Sequence, residues 1–245
     1  MSNNVSSLLR KLALVFSLIT LFVPDTRAAG GYADAVMADG PIAYYRFNDG
    51  PPTAVNSGSL GAAANGAYNG AAASGTQAPA PPSFPGFEAS NTALQCNGTD
   101  AYMSTTVGLF NPAYIPTGAF TISGWLRRNG DQANRTGLWG QNDQVETGYI
   151  DNNTLECWTD DGLHQSPAPT VNPFPNGTWN HLAIVSEGSG GGALIKMYTN
   201  GVFANQRGHT LPGVTTFNFN VGGGGVFDGT GNFFNGQLDE VADIE

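Results

Sequence analysis

The sequence predicts an all-β fold, an antiparallel sandwich or barrel, on three observations. Runs of β-branched and aromatic residues recur at short spacing along the 245 residues. Turn residues separate these runs, since glycine (34) and proline (15) are both more frequent than in an average protein. A helical hydrophobic period is almost absent. Many short strands with turns between them and little helix are typical of a two-layer antiparallel fold.

The first 28 residues are predicted to be a secretory signal peptide. Arg10 and Lys11 form a basic start, residues 12–23 form an apolar run, and small residues up to Ala28 offer a cleavage site. The apolar run is short for a membrane span, which needs about 20 residues. We therefore expect cleavage after Ala28 and a secreted or cell-surface protein. Residues 29–245 are then one domain that does not insert into a membrane.

Residues 31–92 are predicted to hold the first strand and a long loop. Residues 32–39 are compatible with one or two helical turns, and residues 42–47 are rich in β-forming side chains. Residues 49–92 are dominated by Gly, Ala, Asn and Pro, which indicates a loop. The prolines of residues 78–86 cannot donate to a β-ladder, so this stretch is predicted to be a connection or an edge.

Residues 93–245 are predicted to form the main sandwich. Residues 178–186 carry apolar side chains on both parities, as a strand buried on both faces does. Asn200-Gly201 separates two apolar runs, which is a strong signal for a β-hairpin. The predicted strands are 93–96, 101–107, 119–127, 137–141, 145–150, 154–159, 178–186, 193–199, 202–206, 216–222 and 233–243.

The charge pattern excludes several classes of partner. Only 11% of the residues are charged, and 19 acidic residues against nine basic ones give a net charge of −10. A nucleic-acid-binding protein needs a basic face, and so does a protein that docks on an anionic membrane. We therefore expect no nucleic-acid partner. So few charges also exclude a coiled coil and a charge-driven disordered tail.

Two cysteines, Cys96 and Cys157, each lie in a strand-like run. Export would permit a disulfide between them, and two small buried thiols are the alternative. The sequence contains no Cys-x-x-Cys pair and no His–Cys spacing typical of a zinc site.

Six segments, in chain order, match patterns that occur together in one protein family. They are residues 32–47 at the start of the domain, 93–102 (ALxFDGxxDY), 120–126 (FTISxWV), 177–183 (GTWxHVA), 197–202 (LYVNGV) and 234–242 (FxGxIDEVA). On these motifs the chain resembles the LamG-like jelly-roll family of the concanavalin A-like lectin/glucanase superfamily. The resemblance implies a two-sheet antiparallel β-sandwich and an exported recognition or adhesion module. It implies no particular ligand, because a fold does not define a function.

Catalysis is tested by the spacing of carboxylates, because the superfamily contains β-glucanases. These enzymes carry two carboxylates on one strand, about 5–5.5 Å apart, on either side of the sugar bond. The closest match here is Glu240, Asp243 and Glu245, and its first gap is one residue too long. One extra residue turns a side chain to the opposite face of a strand. We therefore predict that the protein is not an enzyme.

The predicted function is an exported, non-catalytic recognition module that binds carbohydrate or a protein surface partner. A structural or adhesion spacer within a larger cell-surface protein is the alternative, and a glucanase-type hydrolase is the less favoured one. Sugar recognition needs an exposed aromatic ring with polar groups beside it. The candidate ligand-binding residues are Trp158, Asp160, Asp161, His164 and Trp139.

Trp158 is the centre of this candidate site. It has the opposite parity to Leu155 and Cys157, so it faces away from the core if those two face inward. A second buried layer is the alternative for the tryptophan. A turn at a strand end is the alternative for Asp160-Asp161. Trp125 and Trp179 lie within family motifs and are predicted to pack in the core.

Asp239 is the candidate ligand of a structural cation. In a regular strand Asp239 and Glu240 point to opposite faces, so one of them shares a face with a core residue. A buried carboxylate is costly unless it is hydrogen-bonded, paired or bound to a metal. The resemblance to jelly-roll modules implies Ca²⁺ here, with Asn48 or Asp49 as companions. Capping by backbone N–H groups or by Arg46 is the alternative.

Overall fold

The fold is that of a two-layer antiparallel β-sandwich, seen in a computed structural model of the 245-residue chain. The predicted signal peptide, residues 1–28, lies outside the described residues. Among the described residues, no helix has the length and apolar character needed to cross a bilayer. The structure describes residues 31–151, 154–159, 164–166, 174–188, 193–209 and 214–245.

Strands form where the sequence has runs of β-forming residues, and one short helix precedes them. Helix α1 is Tyr32–Ala38, as predicted. The strands are β1 (Ala43–Tyr45), β2 (Thr53–Ala54), β3 (Gly66–Asn69), β4 (Ala73–Gln77), β5 (Thr92–Asn97), β6 (Tyr102–Ser104), β7 (Ala119–Arg128), β8 (Thr136–Gln141), β9 (Val145–Tyr149), β10 (Leu155–Thr159), β11 (His164–Ser166), β12 (Asn180–Glu187), β13 (Leu194–Thr199), β14 (Val202–Gly208), β15 (Phe219–Val221) and β16 (Asn235–Ile244).

The strands form two sheets. Sheet 1 has the order β14-β13-β12-β7-β16-β5-β4, and β1 also pairs with β16. Sheet 2 has the order β11-β10-β9-β8-β15-β6-β3-β2. All pairs are antiparallel, and apolar side chains from the inner faces of both sheets form the main core. The predicted two-sheet antiparallel sandwich is therefore confirmed.

The prediction of a loop over residues 49–92 is wrong. This stretch contains β2, β3 and β4 and a 3₁₀ turn at Gly61–Ala64. The short strands have weak intrinsic β propensity, and they form because partners elsewhere in the chain complete their ladders. Residues 78–86 contain no strand, in agreement with their prolines.

The hairpin at Asn200-Gly201 is confirmed. It joins β13 to β14 at the pair Thr199↔Val202. Both turn residues have positive φ, 51° for Asn200 and 76° for Gly201, which matches the twist that adjacent strands require.

Cys96 and Cys157 are free and fully buried, so the structure contradicts a disulfide between them. Cys96 lies on β5 in sheet 1, and Cys157 lies on β10 in sheet 2. Both side chains belong to the main core, where each serves as a small apolar group.

The outer face of sheet 1 carries an aromatic cluster under α1 and residues 84–87. The Trp125 ring packs against Tyr32, Phe84 and Phe87, with ring centroids 5.3 to 6.0 Å apart. His181 lies beside the same ring, and burial lowers its pKa to about 4. The prediction that Trp125 packs in the sandwich core is therefore wrong, because it faces the outer side of the sheet.

Candidate functional site

A polar cavity of about 420 Å³ lies on the outer face of sheet 2. Alternation along two paired strands creates its floor. Leu155 and Cys157 of β10 point into the core, so Glu156 and Trp158 point outward. On β9, Glu146 faces outward by the same rule, directly opposite Trp158. The remaining lining residues are Arg135, Asn142, Asp143, Phe227, Asp228 and Gly229.

A glycine-rich segment, residues 222–231, forms one wall of the cavity by lying on the sheet. It reaches the sheet because two outward positions of β8 and β9 are glycines. A Cβ on Gly137 would stand 2.5 Å from Val226, and one on Gly148 would stand 2.6 Å from the Phe227 ring. Glycine within a strand marks such a close approach. The wall shields the floor, so that Glu146 is only 4% exposed.

Arg135 fastens this wall to the start of β8. Its Nη2 donates to the Phe227 carbonyl oxygen at 2.9 Å and lies 3.3 Å from Asp228 Oδ1. The guanidinium also stands over the Phe227 ring, 5.2 Å from the centroid. Asp228 and Arg135 both keep large exposed fractions, so the charged rim of the cavity is open to a ligand.

Two glutamates of the floor hold their protons more tightly than free carboxylic acids. Burial raises the pKa of Glu146 to about 8, against the opposing effects of the Asp143 N–H and Arg135. The Asp143 N–H donates to Glu146 Oε1 at 2.9 Å. Burial also raises the pKa of Glu156 to about 6, which Arg135 partly opposes. The cavity therefore presents carboxyl groups able to donate or accept hydrogen bonds near neutral pH.

The structure places the predicted ligand-binding residues in different environments. Trp158 faces the cavity and is partly exposed, as the alternation rule predicted. Asp160 and Asp161 lie outside the described residues. His164 lies in β11, paired with Thr159, but its side chain is outside the described part. The candidate site thus depends on Trp158 and on neighbours not chosen from the sequence.

Trp139 does not line the cavity, and its prediction as a ligand-binding residue is wrong. Its side chain is fully buried in the main core. The β8–β9 register shifts between Gly137 and Trp139, so Leu138 and Trp139 both contribute to the core. A β-bulge changes the side of the sheet on which later residues lie, and the sequence pattern did not reveal it.

The sequence reasoning missed five charged residues of the cavity: Arg135, Asp143, Glu146, Glu156 and Asp228. The two glutamates could have been found by alternation. Glu156 is two residues from Trp158 and points to the same face, and Glu146 alternates with the inward residues of its own strand. Arg135 and Asp228 could not be found in this way, since they are 93 residues apart in the chain.

A second cavity, of about 450 Å³, lies on sheet 1 beside the 78–84 connection. Trp179 lines it together with Pro81, Pro82, Phe84 and Arg127. Trp179 is partly exposed, so the prediction that it packs in the core is also wrong. This lining is mainly apolar and includes one cationic side chain, that of Arg127, in contrast to the polar cavity of sheet 2.

The predicted metal residues are bound to hydrogen-bond donors in this structure. Asp239 Oδ2 accepts from the Asn91 amide at 2.7 Å, while its Oδ1 is buried without a hydrogen-bond partner. Asn48 Oδ1 accepts from the Thr92 N–H at 2.7 Å. Asp49 accepts from the Tyr68 hydroxyl at 3.0 Å. Within the described residues, no group of three or more His, Cys, Asp or Glu is suited to a metal ion.

The glucanase-like carboxylates of β16 do not form a site. Glu240 has φ of 53° at a register shift in β16, and it accepts hydrogen bonds from Tyr44 Oη and Arg46 Nε. Asp243 is opposite Ala43 on the core side, and neither of its oxygens has a hydrogen-bond partner. The two carboxylates therefore lie on opposite faces of the sheet, and neither lines a described cavity.

Solved structures with the same fold include several binding domains. Domain 4 of AbnA, an extracellular GH43 arabinanase from Geobacillus stearothermophilus in complex with arabinotriose, aligns with a TM-score of 0.58 and 18% identity. The alignment covers 84% of this chain and 92% of that one. The binding domain of botulinum neurotoxin DC, in complex with SialylT, aligns with a TM-score of 0.55 and 15% identity. There the alignment covers 84% of this chain and 48% of the toxin chain.

These identities establish the fold and not the ligand. A comparison with curated protein sequences gives no match. The sequence profile of one family does match, over residues 97–242, which is more than half of the chain and includes β6 to β15. The chain therefore belongs to the Laminin_G_3 family of the concanavalin A-like lectin/glucanases superfamily.

Proposed function

We propose that this protein is an exported, non-catalytic recognition module that binds carbohydrate in the polar cavity of sheet 2. The observation that carries the proposal is the pairing of Trp158 with Glu146 across β9 and β10, on the outer face and inside a cavity. An aromatic ring offers its face to the apolar side of a sugar, and the surrounding carboxyl and amide groups suit its hydroxyls.

The size and polarity of the cavity favour a glycan over a protein segment. A volume of about 420 Å³ suits one or two sugar rings. The lining contains few apolar side chains, whereas the centre of a protein–protein interface is depleted of charge. Two solved structures with this fold, which contain arabinotriose and SialylT, agree with a binding role for this architecture. A spacer role for the chain requires no cavity of this kind.

Replacement of Trp158 by Ala is expected to reduce glycan affinity about 5-fold or more, if stacking of a sugar on the ring contributes as much as the about 1–3 kcal/mol of a stacked nucleobase. The ligand is first found on a glycan array and its affinity is then measured by titration calorimetry. Trp179→Ala is the matched control, because it removes a partly exposed tryptophan from the cavity on sheet 1. If Trp179→Ala loses affinity and Trp158→Ala keeps it, the binding site lies on sheet 1 and the proposal for this cavity fails.

Two further parts of the proposal have direct tests. Export predicts that the protein from the culture medium has an N-terminus near Ala29, and an intact Met1 on it contradicts a cleaved signal.

The non-catalytic role predicts that the bound glycan keeps its length during prolonged incubation. Release of reducing ends that stops in Glu146→Gln would instead assign hydrolysis to this cavity.

A structural Ca²⁺ ion at Asp239 stays a prediction. An ion that binds only the native state raises the unfolding midpoint as its free concentration rises. Thermal unfolding is therefore compared in Ca²⁺ and in EDTA, with Asp239→Asn as the variant that should lose most of the difference. An unchanged midpoint rejects the ion and leaves the Asn91 amide as the partner of this carboxylate.

A further inference from the structure

We propose that the cavity of sheet 2 selects glycans that carry a free amino group, such as oligosaccharides of glucosamine. This inference rests on the proposed function and names the class of sugar. It starts from the charges of the lining. Four carboxyl groups, of Asp143, Glu146, Glu156 and Asp228, face one guanidinium, that of Arg135.

The guanidinium offsets the charge of the floor only in part. Arg135 Nη2 is used by the Phe227 carbonyl and by Asp228 on the rim. Glu146 has the Asp143 N–H at one of its oxygens. Glu156 is only 6% exposed, and among the described residues no hydrogen bond or ion pair reaches its carboxylate. A carboxylate with so little contact with water gains from a partner, and a ligand in the cavity can reach this one because Glu156 lines it.

An ammonium group is the ligand chemistry that supplies this partner. It donates up to three hydrogen bonds and carries one positive charge, so it satisfies Glu156 and favours ionised Glu146. Burial holds the pKa of both groups above the ordinary value, because the protein groups around them stabilise their charged forms only in part. A bare metal ion is a weaker candidate, since the described residues include no metal-binding group of three carboxylates.

Trp158 defines where the amino group must sit on a larger ligand. It is directly opposite Glu146 on the neighbouring strand. Glu156 precedes it by two residues on β10 and lies on the same face of the sheet. A sugar ring stacked on Trp158 therefore places its substituents beside both carboxyl groups. An amino sugar combines this ring with the ammonium group, whereas a lysine side chain or a simple amine lacks the ring.

Three β-1,4-linked oligosaccharides of equal length test the proposal: those of glucosamine, N-acetylglucosamine and glucose. They differ only in the substituent at carbon 2. Titration calorimetry is done at about pH 6, because the glucosamine amine is a weaker base than lysine and is mostly protonated there. It is expected to give at least about 10-fold tighter binding of the glucosamine oligomer. Added salt should reduce this preference, because part of it is electrostatic.

Two substitutions on the floor of the cavity test whether its carboxyl groups cause the preference for the glucosamine oligomer. Glu156→Gln and Glu146→Gln should each lower the affinity for the glucosamine oligomer and leave that for the glucose oligomer nearly unchanged. Glu187→Gln is the matched control, an exposed glutamate of sheet 1 that pairs with Lys196. A thermal midpoint for each variant shows that it is folded, and the second glutamate keeps the test valid if one variant does not fold.

The outcomes separate this inference from the proposed function. Equal affinity for the three oligomers overturns the amino-sugar inference, while the loss of all three in Trp158→Ala still supports the carbohydrate site. A preference that persists in both glutamine variants also overturns it. Binding of none of the three, with other glycans bound on an array, again rejects the inference alone. An array without any bound glycan rejects the proposed function itself.

Discussion

Trp139→Ala is expected to destabilise the protein by about 3–5 kcal/mol, the usual cost of removing a large aromatic side chain from a core. Trp139 is fully buried. Its ring extends from sheet 2 across the core to sheet 1, where it lies close to Gly124 of β7. A Cβ on Gly124 would stand 3.0 Å from this ring, so the glycine makes the room that the tryptophan occupies. Urea unfolding of the purified protein measures the effect.

Trp158→Ala is the matched control for this prediction, since it removes the same side chain from the partly exposed cavity. It should change the free energy of unfolding far less than Trp139→Ala, while its effect on glycan binding is larger. Trp139→Phe provides a second comparison. The indole N–H of Trp139 is buried without a hydrogen-bond partner, so a phenyl ring loses no polar contact and should cost less than alanine. A stable Trp139→Ala protein that loses ligand binding would contradict the core assignment.

The free energy of unfolding is expected to fall as the pH rises from about 4.5 to about 8. Burial raises the pKa of Glu240, Asp243 and Glu146 to about 8 in each case. These groups release their protons near pH 4 in the unfolded chain and keep them in the native state. Between those values the native state binds more protons, so its advantage decreases as protons become scarce.

The size of this loss follows from the pKa differences. Each unit corresponds to about 1.4 kcal/mol, so even a fraction of the combined shifts amounts to about 3 kcal/mol or more. Stability should be greatest on the acid side and should level off above the native pKa values. The measurement is urea unfolding at a series of pH values, and a stability that rises from pH 5 to pH 8 contradicts the prediction.

Asp243→Asn isolates one contributor. The amide has nearly the shape of the neutral carboxylic acid, and both oxygens of Asp243 are buried without a hydrogen-bond partner. The variant should therefore be more stable than the parent above pH 8, and its stability should depend less on pH. Asp39→Asn, at the exposed end of α1, controls for the removal of one formal charge. Parallel curves for the parent and Asp243→Asn would show that this carboxyl does not carry the effect.

The sequence alone determined the architecture. Runs such as residues 120–126 favour strands through their own side chains, and Asn200-Gly201 favours a hairpin through its own backbone preferences. Both effects are local, so they can be recognised without knowledge of distant partners. The outward direction of Trp158 was also predictable, because alternation along a regular strand fixes it.

Only the tertiary structure decided the site. The cavity needs Asp228 beside Arg135, 93 residues away, and a wall that can lie on Gly137 and Gly148. The strands β2 to β4 formed despite weak local signals, because their hydrogen-bond partners come from other parts of the chain. Trp139 turned to the core through a bulge in β8, which changes parity without a clear mark in the sequence. The physical reason is common to all three: burial, charge and pairing are set by residues that are distant in the chain, whereas propensity and alternation act between neighbours.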